Sequence, residues 1–174
     1  MSDVQLHMTA DQILSYLHEV ATELDPTGVQ HVIVVVGGAL LAVRGLRDST
    51  MDIDSVRRIE PELQKAINSL AHRHGLSPHW VNSAASAFTP DTLEIARCFT
   101  LKDHPRLLVL GAPLDQVFVM KLHAARDRDR EDLVRLWAAG VFDSPQAAVD
   151  AYWNAYPDAA PDEYLVSYVE ALAR

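Results

Sequence analysis

A chain of 174 residues is long enough for one substantial core, and its hydrophobic share of 49% is ordinary for a globular protein. No apolar run approaches the length that crosses a bilayer, and the lone Cys98 excludes an internal disulfide and fits a reducing compartment. A formal charge of −9 argues against broad electrostatic binding of nucleic acid, which depends on Lys and Arg neutralising phosphates.

The N-terminus, Met1 to His7, is acidic and polar, so no secretory signal is expected there and a cytoplasmic location is. Thr9-Ala10-Asp11-Gln12 begins a helix, with Thr9 as cap and Gln12 at the reciprocal position. Ile13, Leu14, Leu17, Val20, Ala21 and Leu24 recur at helical spacing, and Asp25-Pro26-Thr27-Gly28 ends the helix with turn chemistry. His31 to Val36 is a short β-branched run bounded by Gly37-Gly38, which predicts a buried strand. Ala39 to Arg44 suits a short helix, and Met51 to Val56 alternates as a strand does.

Glu60-Pro61-Glu62 starts the next helix, whose stripe is Leu63, Ala66, Ile67, Leu70 and Ala71, and Gly75 ends it. His72 and His74 read as a solvated helix terminus rather than a metal site. Trp80-Val81-Asn82 reads as a short edge strand, Ala84 to Pro90 as a loop, and Thr92 to Phe99 as either strand or short helix. Cys98 reads as a small core residue, and Arg106 to Gly111 as another strand. Ala112 to Asp115 opens a long helix expected to reach about Trp137, with Phe118, Leu122, Ala125, Leu133 and Leu136 on one face. Ser144 to Arg174 reads as two helices, in which Trp153, Tyr156, Tyr164 and Tyr168 are packing groups. No internal repeat, linker or low-complexity segment interrupts this order.

The chemistry concentrates at Gly37-Gly38 and at Asp52-Ile53-Asp54. In a strand, the two aspartates share one face and repel each other unless water or a cation lies between them. A hard, oxygen-seeking ion such as Mg²⁺ suits that pair, particularly one that also carries substrate phosphates. A glycine pair beside them lets backbone N–H groups approach a phosphate, since no Cβ intervenes. These are the parts of metal-assisted phosphoryl or nucleotidyl transfer.

Gly37-Gly38, thirteen intervening residues and then Asp52-Ile53-Asp54 resemble the signature of the DNA polymerase β-like nucleotidyltransferase superfamily. The string Arg47-Asp48-Ser49-Thr50-Met51-Asp52-Ile53-Asp54 resembles, more narrowly, the AbiEii-like and MenT-like nucleotidyltransferase toxins and their DUF6036 relatives. Lys121 to Leu133 is similar to the Lys-x-x-Ala…Arg-Asp-x-x-Asp helix of the same group. The resemblance implies an α/β fold, a small mixed sheet flanked by helices with a helical C-terminal portion. We expect one nucleotidyltransferase domain, with a sheet-containing core over 1–112 and the helical portion over 113–174.

It further implies transfer of NMP from an NTP to a hydroxyl, with Mg²⁺ or Mn²⁺ held by Asp52 and Asp54. Gly37 and Gly38 would offer N–H groups to phosphate, and Lys121 a point charge to the triphosphate. Arg47, Thr50 and Arg128 are further nucleotide-binding candidates. Asp132, and behind it Asp129, is a candidate support for Lys121 or for the acceptor hydroxyl. On one continuous helix, Lys121, Arg128 and Asp132 fall on one face at spacings of 7 and 4. Relatives often read Trp-Leu-Asn-Asp where Ser83 here follows Asn82, so a carboxylate there is absent or moved. Glu94 is the one occupant for a third acid, with a solvent-facing acid as the plainer reading. The likeness points to a toxin acting on the tRNA 3′ end, with a cognate antitoxin as partner and no membrane role. Protein AMPylation and a catalytically silent binding module are the alternatives.

Overall fold

The computed structural model describes residues 6–174; the polar stretch Met1–Gln5, part of the segment read as lacking a secretory signal, lies outside them. The chain divides into two compact units, one running up to Ala87 and including Cys98–Gly111, the other formed by Phe88–Arg97 and Ala112–Arg174. The segment 88–97 thus belongs with the helices.

In the first unit, Thr9 caps α1 (Ala10–Glu23) by the reciprocal pairing with Gln12 that the sequence predicts, and Ile13, Leu17, Val20 and Ala21 are its buried face. Five strands follow: β1 (His31–Val36), β2 (Ile53–Ser55), β3 (Val81–Asn82), β4 (Phe99–His104) and β5 (Leu107–Gly111), with α2 (Gly37–Val43) and α3 (Pro61–His74) between them. Their order in the sheet is β3-β2-β1-β5-β4. β1 is central, antiparallel to β2 and parallel to β5; β2 and β3 are parallel, β4 and β5 antiparallel. A central strand covered on both faces explains why Ile33-Val34-Val35-Val36 is an unbroken apolar run, every member buried. The sheet is mixed and helix-flanked, as the resemblance implies.

α3 starts at Pro61 and ends at Gly75, whose left-handed φ of 66° returns its N–H to Ala71 O. Trp80 is fully buried and donates its indole N–H to Ile67 O at 3.1 Å. His74 is not simply solvated: it lies 2.9 Å from Glu19 of α1 and against the Tyr16 ring. At the N-terminal end of β1 and β5, Arg106 is buried and gives both of its Glu62 contacts, 3.1 and 3.0 Å, from Nη2. His31 reaches the same carboxylate at 2.9 Å, and Nη1 of Arg106 is buried without a partner.

Several expectations change. β4 was not foreseen: it is a half-buried edge strand folded back on β5, and its sequence alternates too weakly to show. The loop at Ala84–Phe88 and the ambiguous stretch at Ile95–Arg97 are 3₁₀ turns, with Cys98 only half-buried between the latter and β4. The long helix to Trp137 is two helices, α4 (Leu114–Ala124) and α5 (Arg130–Ala138), joined by a 3₁₀ turn at Asp127–Asp129. The break is at Ala125, which takes a left-handed φ of 49° and returns its N–H to Lys121 O. A non-glycine residue rarely adopts that conformation, so no sequence signal marks it.

The second unit continues with α6 (Pro145–Ala155), capped by Ser144, and α7 (Leu165–Leu172). Phe118 packs against the Trp137 and Phe142 rings at 6.1 and 5.4 Å. Tyr164, read as a packing group, is instead 71% exposed. No described helix is long and apolar enough to cross a membrane.

Candidate active site

The site starts where β1 stops. Gly37 follows the last residue of β1 and has a φ of +64°, a conformation that L side chains rarely adopt. Antiparallel pairing sets Asp54 of β2 directly opposite Val36. The Asp54 carboxylate therefore lies over Gly37: a Cβ built there would stand 3.1 Å from Asp54 Oδ2. Of the strand read over Met51 to Val56 only Ile53–Ser55 forms, with Met51 exposed outside it, and the alternation holds within those three residues. Ile53 and Ser55 are fully buried, Asp54 is half-buried, and Asp52, just before the strand, is exposed. Ser55 Oγ accepts from Val34 N–H at 3.3 Å and Arg57 N–H at 3.1 Å, which fixes β2 against β1 from behind.

Gly38 is crowded by side chains of its own unit. A Cβ there would meet Arg47 Nη1 and Thr50 Oγ1, each at 2.9 Å. Thr50 is buried and bridged to Met8, with Thr50 N–H reaching Met8 O at 3.0 Å. Its hydroxyl donates to Asp52 O at 3.2 Å, and Arg47 Nε donates to Ser49 O at 2.9 Å. The loop 47–52 is thus folded so that a guanidinium and a hydroxyl gather beside Gly38. The room left by the missing Cβ atoms is used by Asp54, Arg47 and Thr50.

In the second unit, Lys121 Nζ sits between Asp129 Oδ1 at 2.8 Å and Asp132 Oδ2 at 2.9 Å, with all three side chains nearly buried. Asp132 also faces Arg135 Nη1 at 3.4 Å. The reversal at Ala125, not helical spacing, brings these groups together. Arg128 lies on the connecting turn and is exposed, so it does not share a face with Lys121. Asp129 takes the nearer place; its offset of eight residues from Lys121 would have put it to one side of a continuous helix. Glu94 is exposed and precedes a 3₁₀ turn instead of standing on a strand.

The model of DUF6036, a family described as a nucleotidyltransferase of unknown function, matches residues 12–146. The chain belongs to this nucleotidyltransferase family. Searches among curated proteins and among solved structures found no match. The matched span contains the glycine pair, both aspartates and the Lys121 cage.

Nucleotidyltransferases use an NTP and a divalent metal, and the residues present fit such an ion. Asp52 and Asp54 offer hard oxygen ligands, and among the described residues no three His, Cys, Asp or Glu side chains form a metal-holding group. A two-carboxylate set is incomplete as an all-protein cage. It suits an ion that keeps several waters and takes its remaining ligands from substrate phosphates.

Proposed function

We propose that this nucleotidyltransferase moves NMP from an NTP to a hydroxyl, with Mg²⁺ carried on the triphosphate and held by Asp52 and Asp54. The observation that carries this reading is the placing of Asp54 over Gly37, with Arg47 Nη1 and Thr50 Oγ1 at Gly38. In the reaction the acceptor oxygen bonds to the α-phosphorus, and the bond from that phosphorus to the bridging oxygen of pyrophosphate breaks. The hydroxyl proton is released to solvent. The bound ion would neutralise charge on the triphosphate and lower the pKa of the acceptor hydroxyl. Arg47 and Thr50 would donate to phosphate oxygens, and Gly37 and Gly38 would leave room for them. Lys121 has three N–H donors; two are directed at Asp129 and Asp132, which leaves one for a ligand.

For the acceptor we infer the tRNA 3′ end, in a toxin held in check by an antitoxin, from the likeness of the Arg47–Asp54 string to nucleotidyltransferase toxins. The net charge of −9 favours a second reading, in which the acceptor is a protein hydroxyl. Contact with RNA would rest on a few arginines, among them Arg44, Arg126 and Arg130, all exposed. A tRNA reaction should therefore weaken with salt along a shallow slope, on the order of two to four phosphate contacts. Label transfer from each α-³²P-NTP into total tRNA and total protein tests both readings. Labelled protein with unlabelled RNA at low salt replaces tRNA by protein; no label in either removes the enzyme reading.

A further inference from the structure

The second unit holds a cavity that the transfer reaction does not use. It has a volume of about 260 Å³ and is lined by Asp91, His123, Tyr156, Pro157 and Asp158 with two alanines. The wall is built in advance of any ligand. Asp91 N–H donates to Ala155 O at 3.0 Å, and the Tyr156 hydroxyl donates to Phe88 O at 2.8 Å. These two bonds clamp the segment 88–91 to the end of α6. The His123 and Tyr156 rings lie 3.8 Å apart and 9° from parallel, and Tyr152 Oη, 3.2 Å from His123 Nδ1, fixes the stack from the other side. Burial raises the pKa of the Tyr156 hydroxyl, which keeps it protonated and donating.

We propose that this cavity receives the side chain of an arginine from a basic polypeptide partner. Its size lies below the roughly 300–1,000 Å³ of clefts for drug-sized ligands, so it suits one side-chain head and not a nucleotide. The Asp91 and Asp158 side chains have no partner among the described residues, so two carboxylates line the cavity beside the stacked His123 and Tyr156 rings. A guanidinium satisfies both features: its planar fork pairs with carboxylates and its face stacks on aromatic rings. A nucleobase would satisfy the stack alone, and its phosphates would meet the wrong charge. Residues 143–174 hold six acids, Asp143, Asp150, Asp158, Asp162, Glu163 and Glu170, against the single base Arg174. Phe88, anchored through its carbonyl to Tyr156, is 51% exposed and supplies apolar surface beside the cavity.

The test uses the full chain, labelled with ¹⁵N, titrated at pH 8 and low salt with acetyl-Gly-Arg-Gly-amide. Parallel titrations use the same peptide with citrulline in place of arginine, and adenosine and cytidine. The arginine peptide should shift the amide signals of Asp91, His123, Tyr156 and Asp158 with a millimolar Kd. The citrulline peptide, equal in shape but uncharged, should bind about 10-fold more weakly or not at all. Asp91→Asn and Asp158→Asn alter exposed side chains without partners, so they should keep the fold and each weaken the arginine peptide several-fold. Asp143→Asn, outside the cavity, should change nothing. Equal binding of the citrulline peptide, unchanged affinity in both cavity variants, or an equal loss in Asp143→Asn overturns the proposal. So does a nucleoside that shifts these signals where the arginine peptide does not. None of these outcomes depends on nucleotidyl transfer.

Discussion

Asp54 Oδ2 would lie 3.1 Å from any Cβ at Gly37, so β1 and β2 meet at a distance that glycine permits. Position 37 also carries a left-handed φ of +64°. Gly37→Ala should cost about 1–2 kcal/mol from the backbone alone and displace the carboxylate as well. Gly45 has a φ of +72° and open space where its Cβ would be. Gly45→Ala should show a similar backbone cost and keep NTP binding, while Gly37→Ala loses it. Denaturant titration beside calorimetry with a non-hydrolysable NTP separates strain from displacement.

Gly38→Ala is a contrasting change. Its φ is not left-handed, and the atoms a Cβ would meet are the ends of Arg47 and Thr50 side chains. Arg47 can swing away, but Thr50 is buried and stiff, so the overpacking should cost about 1–3 kcal/mol while the two donors are pushed aside. The expected signature is a lowered melting temperature together with a raised KM for NTP. A normal KM would remove Arg47 and Thr50 from the nucleotide site.

Asp52 is exposed and Asp54 half-buried, so neither holds the core together. Asp52→Asn and Asp54→Asn should each lower kcat by about 100-fold or more with little change in melting temperature. Each should also abolish the Mg²⁺ dependence of NTP binding, measured by calorimetry with and without the ion. Wild-type turnover in either variant would exclude these acids as metal ligands.

Lys121 is 10% exposed in its side chain and compensates two nearly buried carboxylates. Lys121→Ala removes the cation held between Asp129 and Asp132, and breaking a buried ion pair costs about 3–5 kcal/mol. Lys121→Met combined with Asp129→Asn and Asp132→Asn should recover much of that stability and none of the activity. Full recovery of activity in the triple variant would confine Lys121 to a structural role.

Glu62 has a carboxyl held below the ordinary range, first by the hydrogen bond from His31 and then by that from Arg106. A depressed carboxylate pKa adds stability above the unfolded value and loses it as pH falls through the folded one. Glu62→Gln should therefore be less stable than wild type at neutral pH. The gap should close on acidification below the usual carboxylate range. Melting curves from pH 7 down to about 3 check this, and a gap that persists at the acid end would contradict the assignment.

Local chemistry made much of the first unit legible. The capping box at Thr9 and Gln12, the β-branched run into Gly37-Gly38, and the Pro61 and Gly75 ends of α3 each carry their signal within a few residues. The Gly-Gly and Asp-x-Asp pair, thirteen residues apart, resembled the nucleotidyltransferase signature, and the family match agrees with it. Only the tertiary structure decided which groups meet. Ala125 turns left-handed although alanine has no preference for it, and that turn brings Asp129 to Lys121 while leaving Arg128 exposed. His31, Glu62 and Arg106 are far apart in sequence, and their contact follows from β1 and β5 lying side by side. The same holds for Asp91, His123 and Tyr156, which no spacing relates. Backbone preferences act over a few residues and are written in the order of the chain. Contacts between distant side chains depend on how the elements pack, and the order of the chain does not record that.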